Sequence, residues 1–208
     1  MSLYDEGYWE ERYRSATTVW SGEPNRQLVA EAAGLTPGRA LDAGSGEGAD
    51  ALWLAARGWR VTAVDFAATA LDRGARAAAA AGLAARIEWV RADLRSWRPR
   101  DRYDLVSAQF FHLPPPERTD VFATLAAAVA PGGTLLVVGH DVGDLETGAH
   151  RPHAPERFFT AAEVAASLDP AGWEVVAADT RPRPALEHEA EHGVTVADTV
   201  LVARRHRE

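Results

Sequence analysis

The chain has 208 residues, of which 47% are apolar and 25% charged, a balance typical of one compact α/β domain with its own core. The formal net charge of −8 opposes binding of nucleic-acid phosphates, which depends on Lys and Arg side chains. Cysteine and lysine are both absent, which excludes disulfide scaffolds, Cys-ligated zinc, thiol nucleophiles, Schiff-base chemistry and the P-loop lysine.

The predicted elements begin with two helices and then alternate between strand and helix. Helices are predicted at residues 4–14, 24–33, 49–57, 67–81, 117–129 and 160–168, and strands at 39–43, 60–64, 87–91, 103–108, 134–138, 173–178 and 194–203. Strands separated by helices pair in parallel, because a tight turn cannot reach a parallel partner. The last two strands are expected to pair antiparallel. We predict a single domain, with a helical cap at 1–34 and a Rossmann-like core at 35–208.

A glycine-rich turn follows the first strand of the core. It reads Asp42-Ala43-Gly44-Ser45-Gly46-Glu47-Gly48, and glycines at such a turn let a ligand approach the backbone closely. Further along the chain, Asp65 ends the second strand, where a carboxylate accepts hydrogen bonds from ribose hydroxyls. The pattern therefore predicts a ligand that carries a ribose.

Two classes of ligand fit these residues. Gly44, Gly46 and Ala49 also satisfy a dinucleotide fingerprint, which is typical of NAD(P)-dependent reductases. Asp42 opposes that class, because its carboxylate repels a pyrophosphate but suits a ligand with ammonium and sulfonium charges. The structural alternative is that Asp42 only caps backbone N–H groups in the turn.

The sequence resembles the class I S-adenosylmethionine-dependent methyltransferases in five segments taken in order. They are residues 41–48, residue 65, and residues 92–94, 104–109 and 131–138. The resemblance implies a three-layer sandwich around a seven-stranded, mostly parallel sheet of order 3-2-1-4-5-7-6, with strand 7 antiparallel. It implies S-adenosylmethionine as the cofactor and S-adenosylhomocysteine as the product. A non-catalytic protein that binds S-adenosylmethionine is the remaining alternative.

The resemblance also implies where the cofactor lies. Backbone near Gly44 and Gly46 contacts its methionine part, with Asp42 beneath. Asp65 takes the ribose, and Asp93 meets the adenine amino group. With their neighbours, the cofactor-binding residues predicted in this way are Asp42, Gly44, Ser45, Gly46, Asp65, Phe66, Ala92, Asp93, Leu94 and Gln109.

The opening segment is similar to the helical cap of the thiopurine and tellurite-resistance branch of that family. The similarity lies in residues 8–13 and 19–25. Trp9 and Trp20 are predicted to cover the cationic sulfonium, since an aromatic face attracts a cation by roughly 0.5–2 kcal/mol. Trp20 therefore joins the predicted cofactor site.

Catalysis by methyl transfer depends mainly on placing the acceptor in line with the sulfur. Positioning supplies roughly 7–11 kcal/mol, against roughly 3–5 kcal/mol for a general base. His112, after the fourth strand, is the candidate base; the alternative is a histidine bonded to loop backbone. Phe110, Phe111 and the prolines from Pro114 are predicted to wall an apolar acceptor pocket, beside a loop or lid at 139–157.

Metal binding is not predicted. His150 and His153, and His188 and His192, have the spacing of metal ligands, but no third ligand joins either pair. The acidic stretch 187–192 is predicted to be a solvated turn.

The expected partner is a small-molecule methyl acceptor, with no nucleic acid and no membrane. No apolar run approaches the ~20 residues that span a bilayer, and the first residues lack the basic start of a signal peptide. We expect a cytoplasmic protein that is a monomer or a homodimer.

Overall fold

The fold is known from a computed structural model that describes residues 5–147, 149–151, 154–185, 189 and 194–207. The strands in these ranges are β1 (Arg39–Ala43), β2 (Arg60–Asp65), β3 (Ile87–Arg91), β4 (Tyr103–Gln109), β5 (Val129–His140), β6 (Trp173–Pro184) and β7 (Thr195–Arg205). The helices are α1 (Glu6–Ser15), α2 (Arg26–Ala32), α3 (Ala49–Ala56), α4 (Ala68–Ala80), α5 (Glu117–Ala127) and α6 (Ala161–Ala166). Short 3₁₀ turns lie at Ala84–Arg86, Val142–Glu146 and Pro155–Arg157.

The strands form one seven-stranded sheet of order β3-β2-β1-β4-β5-β7-β6. Pairing is parallel from β3 to β5, whereas β7 runs antiparallel to both of its neighbours, β5 and β6. The predicted strand order and the antiparallel seventh strand are confirmed. The strand order reverses at β1, which lies between β2 and β4, and such a reversal opens a crevice at the carboxyl ends of the strands.

The sheet is covered on both faces, so its central strands are apolar almost throughout. Neighbouring residues of β4 point to opposite faces, and Leu105 and Val106 accordingly belong to two separate apolar clusters. Trp59, only 1% exposed, packs beneath one face with Leu28 and Leu54. None of the helices in the described ranges is long and apolar enough to cross a bilayer.

The largest differences from the predicted strands are in β5 and β6, which are each longer by six residues or more. β5 was expected to begin at Thr134 but begins at Val129, which pairs with Tyr103. The ladder is irregular between Tyr103 and Leu105, and this bulge accommodates the intervening proline and glycines. β6 continues past Ala178 to Pro184, because at the edge of a sheet a proline's missing N–H removes no ladder bond.

Gly74 of α4 provides a test of the packing between helix and sheet. A Cβ atom on Gly74 would lie 2.4 Å from Cη2 of Trp89. Alanine normally stabilises a helix by about 0.5–1 kcal/mol relative to glycine, but overpacking costs about 1–3 kcal/mol. We therefore expect Gly74→Ala to lower the free energy of unfolding in urea by about 1–2 kcal/mol.

The control for this prediction is Gly34→Ala, because a Cβ atom at Gly34 has no atom within 4 Å. It should leave the free energy of unfolding unchanged or raise it. A Gly74→Ala protein as stable as Gly34→Ala would contradict the packing described for Trp89.

Candidate active site

A cleft of about 1700 Å³ lies along the carboxyl ends of β1, β2 and β4 and beneath α1. It brings together most of the residues that the sequence predicted for a cofactor site. Those that line it are Trp20, Gly44, Ser45, Gly46, Asp65, Phe66, Ala92, Leu94, Gln109 and His112. Asp42 is buried behind the glycine turn rather than on its surface, and Asp93 lies outside the lining.

The glycine turn has its N–H groups committed to the protein itself. The N–H groups of Gly44 and Ser45 donate to the carbonyl of Val64 at 2.8 and 3.0 Å, and the N–H of Gly46 donates to the Asp65 carboxylate at 2.9 Å. Gly46 has a φ of +52°, and a Cβ atom there would lie 2.9 Å from the hydroxyl of Tyr13. Glycine is therefore required here by both conformation and space.

Three carboxylates surround this turn without an arginine partner among the described residues. Asp42 is 2% exposed, and burial, together with the charges of Asp50 and Asp65, raises its pKa well above the usual range. Burial raises the pKa of Asp50 to about 6, although Asp50 accepts the N–H of Asn25 at 2.6 Å. Burial also raises the pKa of Asp65. A positive charge placed beside these groups would favour their ionised forms.

Asp65 keeps acceptor capacity for a ligand although both of its oxygens are bonded. Oδ2 accepts the N–H of Gly46 at 2.9 Å, and Oδ1 accepts the N–H of Ala67 at 2.8 Å. Each carboxylate oxygen has two lone-pair sites, so capacity for a ligand donor remains beside the backbone N–H groups of Gly46, Ala67 and Phe66. Its position at the end of β2 and in the cleft lining is compatible with two hydroxyl donors.

Three buried oxygen atoms near the turn have no hydrogen-bond partner among the described residues. Asp42 Oδ2, Ser45 Oγ and Gln109 Oε1 are buried, and none has a partner within the described residues. Gln109 donates from Nε2 to Ser107 Oγ at 2.9 Å, and its Oε1 has no partner in the described ranges. Unsatisfied buried acceptors cost free energy, so the site fits a donor-bearing cation better than a phosphate.

Trp9 and Trp20 lie over the cleft as an aromatic pair, with ring centroids 5.9 Å apart. Trp20 donates from Nε1 to the hydroxyl of Tyr13 at 3.0 Å. The Arg12 guanidinium lies 5.5 Å from the Trp9 ring and 5.4 Å from the Trp20 ring. The pair therefore already attracts one cation of the chain, and its contact with a sulfonium stays a prediction.

Asp93 is bound by a neighbouring arginine. Its carboxylate accepts from Arg95 Nη2 at 2.6 Å and from the Arg95 backbone N–H at 2.9 Å. These bonds lower the pKa of Asp93, the bond from the Arg95 side chain most of all. Ala92 and Leu94 line the cleft on either side, while the contact of Asp93 with adenine stays a prediction.

The imidazole of His112 is held between two backbone groups. Its Nδ1 lies 3.3 Å from the carbonyl oxygen of Arg157, and its Nε2 accepts the N–H of His140 at 3.3 Å. This pattern requires a neutral ring with its proton on Nδ1. Burial lowers the pKa of His112 to about 4. The arrangement favours the backbone-bonded alternative over a general base, whose role stays untested.

His140 stacks on His112 at 5.1 Å and lies 4.5 Å from the ring of Phe110. Burial, and then the neighbouring His112, lowers its pKa well below the usual range, so the ring is neutral at physiological pH. Phe110 has a φ of +52°, a strained conformation for a bulky residue. Together these rings form the wall of the cleft beyond β4 and β5.

An ion network closes the far end of the cleft. The N···O distances are 2.6 Å for Arg151–Asp144, 3.0 Å for Arg151–Glu189, 2.5 Å for Arg183–Glu189 and 3.0 Å for Arg183–Asp198. Glu189 is 5% exposed, so the prediction of a solvated acidic turn is wrong for this residue. Two arginines offset the cost of burying its charge. The rest of 187–192 lies outside the described residues.

No group of three or more metal-ligating side chains occurs in the part of the chain that the structure describes. Of the paired histidines, only His150 belongs to that part, whereas His153, His188 and His192 do not. The prediction that these histidine pairs bind no metal is therefore not tested.

Sequence reasoning missed Asp50 as a member of the carboxylate cluster. It follows the glycine turn in the first turn of α3, where an acidic residue is usually explained by the helix dipole. The nearness of Asp42 to both Asp50 and Asp65 is a tertiary contact that sequence spacing alone does not reveal.

Asp50→Asn tests the cost of burying the charge of Asp50 within the cluster. The pKa of Asp50 is about 6 in the folded protein, above its unfolded value of roughly 3.9, so wild-type stability falls as pH rises between these values. The variant keeps an oxygen for the N–H of Asn25 but has no charge. We expect it to exceed wild type at about pH 8 by on the order of 2 kcal/mol and to match it near pH 4, in urea unfolding.

Asp93→Asn is the control of opposite sign, because the pKa of Asp93 is lowered and its ionised form stabilises the fold. Asp93→Asn should be less stable than wild type at neutral pH, and the difference should disappear in acid, where Asp93 of wild type is protonated. An Asp50→Asn protein that follows the same trend would contradict the proposed cost of the cluster.

Comparison with known proteins shows that the chain is similar to methyltransferases. Residues 40–133 match a family profile described as a methyltransferase domain. A probable thiol methyltransferase 2 of Arabidopsis thaliana is 25% identical over 85% of this chain and 77% of its own length. Thiocyanate methyltransferase 1 of Brassica oleracea is 26% identical over 86% of this chain and 78% of its own. A 2-heptyl-1-hydroxyquinolin-4(1H)-one methyltransferase of Mycobacteroides abscessus is 31% identical over 67% of this chain and 63% of its own length.

Solved structures share the fold. TehB from Haemophilus influenzae superposes with a TM-score of 0.71 at 19% identity, covering 98% of this chain and 67% of that one. The DhpI–SAH complex has a TM-score of 0.61 at 22% identity, covering 98% and 96%. At these identities the structures support the fold and nothing finer.

Proposed function

We propose that this chain, which belongs to the class I S-adenosylmethionine-dependent methyltransferases, transfers a methyl group from S-adenosylmethionine to a small-molecule acceptor. The observation that carries the proposal is the carboxylate cluster with its unsatisfied acceptors. Asp42, Asp50 and Asp65 favour a cation, and Ser45 and Gln109 present buried oxygens that need donors.

S-adenosylmethionine fits these residues group by group. Its ammonium has N–H donors that suit Ser45 and Gln109 in the cleft lining, and its positive charge suits Asp42 behind the glycine turn. Its ribose hydroxyls suit the remaining lone pairs of Asp65, and its sulfonium suits the aromatic side of the cleft with Trp20. When bound, the cofactor supplies an electrophilic methyl group.

A dinucleotide fits the same turn poorly. A pyrophosphate at a glycine turn is bound by free backbone N–H groups, as in the dinucleotide-binding fold. Here the N–H groups of Gly44, Ser45 and Gly46 already donate to Val64 and Asp65. The reductase alternative is therefore disfavoured on hydrogen bonding as well as on charge.

The acceptor is proposed to enter beside the aromatic wall beyond β4. Phe110, Phe111 and Leu113 line that part of the cleft with His112 and His140. Because both imidazoles are neutral and the lone pair of His112 is taken, these residues position the acceptor and exclude water. An acceptor that is already a good nucleophile near neutral pH needs no base, so thiols, thiocyanate and N-hydroxyquinolones are the acceptors to test first.

Isothermal calorimetry tests the cofactor. We expect micromolar binding of S-adenosylmethionine and S-adenosylhomocysteine, no binding of NADH, and at least about a tenfold loss with Asp65→Ala, which removes a charged acceptor. The control is Asp72→Ala, an exposed acid on α4. Binding of NADH alone would overturn the methyltransferase proposal. Cofactor binding without turnover of any acceptor would favour the non-catalytic alternative.

His112→Gln tests whether a base takes part. A glutamine retains a donor and an acceptor at this position but cannot accept a proton near neutrality. With a turned-over acceptor, we expect kcat within about threefold of wild type from about pH 6 to 9, because positioning dominates the barrier. A loss of a hundredfold or so, together with a missing limb in the pH profile, would restore the base role.

A further inference from the structure

Glu47, inside the glycine turn, is not needed by the turn itself but bonds to the N-terminal cap. Its Oε2 accepts the backbone N–H groups of Val19 and Trp20 at 3.0 and 3.1 Å. Its Oε1 accepts Arg73 Nη1 at 2.6 Å. The side chain is only 14% exposed. One carboxylate thus joins the cofactor loop to a segment far away in sequence.

Arg73 of α4 completes the attachment. Its Nη2 donates to the backbone carbonyls of Tyr13 and Ala16, the latter at 2.5 Å. Residues 13–20, which we name the cap segment, are therefore held at their start by Arg73 and at their end by Glu47. The two side chains also neutralise each other, at 19% and 14% exposure.

The cap segment lies directly on the glycine turn. The Tyr13 hydroxyl accepts Nε1 of Trp20 at 3.0 Å, and it approaches within 2.9 Å of the position that a Cβ atom of Gly46 would occupy. Burial raises the pKa of Tyr13, so the hydroxyl stays protonated. Tyr13 and Trp20 therefore cover the glycine turn at Gly46.

We infer that Glu47 and Arg73 are positioning residues that make docking of the cap segment part of cofactor binding. The inference rests on the proposed function for the identity of the cofactor. Because Glu47 belongs to the loop that binds the ligand, a ligand that fixes the loop also fixes the cap, and by linkage a docked cap strengthens ligand binding to the same degree. Loss of either residue releases the cap while leaving Asp42 and Asp65 in place.

Limited proteolysis tests the attachment without any ligand. The chain has no Lys, so trypsin cleaves only after Arg; Arg12 directly precedes the cap segment, and Arg14 lies within it. We expect Glu47→Gln and Arg73→Gln to be cut after these residues about tenfold faster than wild type, as followed by intact mass spectrometry. Glu88→Gln, an exposed acid on β3, should be cut at the wild-type rate. Equal rates in all four proteins would overturn the inference.

Calorimetry tests the coupling. S-adenosylmethionine should bind about tenfold more weakly to Glu47→Gln and to Arg73→Gln, and the double variant should be no weaker than either single one, because the two residues act as a pair. Bound S-adenosylmethionine should slow tryptic cleavage after Arg12 and Arg14 in wild type more than in the variants. Unfolding of the core in urea, by circular dichroism, controls for general damage.

The outcomes separate this inference from the proposed function. If wild type binds the cofactor and the variants bind it equally well, the coupling is wrong and the methyltransferase proposal stands. If wild type binds no S-adenosylmethionine, the proposed function is wrong, and the proteolysis result alone decides whether Glu47 and Arg73 hold the cap.

Discussion

The crowding of Asp42, Asp50 and Asp65 around one glycine turn is the constraint on which the rest of the site depends. The fold imposes it: β1 and β2 are neighbours, so their carboxyl ends bring Asp42 and Asp65 together, and Asp50 lies in the first turn of α3, which follows the glycine turn. The ionised cluster is costly, as the raised pKa values of its members indicate. Protonation relieves that cost, and a cation placed beside the carboxylates would relieve it in the same way.

The surroundings of the cluster follow the same logic. The backbone N–H groups of the turn are bonded internally, so no anion is attracted there. The cap segment is attached to the glycine turn through Glu47 and Arg73, and elsewhere the cleft is lined by arginines paired with carboxylates, such as Arg183 with Glu189. The lining thus combines a cluster of raised-pKa carboxylates, a set of paired ions and the aromatic wall of Phe110.

Much of this could be predicted from the sequence, because it depends on local pattern. Strand–helix alternation gives the parallel sheet, and the spacing from Gly44 to Asp65 places the glycine turn and this carboxylate together in one cleft. The rest depends on contacts between residues distant in sequence. Burial of Glu189 depends on arginines from two other segments, and the two backbone bonds of His112 depend on where two loops fold. Chain spacing carries no information about such contacts.

The most direct test of the account is the number of protons exchanged when S-adenosylmethionine binds. Calorimetric titrations near pH 6, in buffers of different ionisation enthalpy, give that number from the slope of the observed enthalpy. The account predicts release of a substantial fraction of a proton as the cation ionises the cluster, and a clearly smaller release in Asp50→Asn. Binding with no proton release, and with one affinity from about pH 5 to 8, would contradict the claim that the carboxylates select the ligand by its charge.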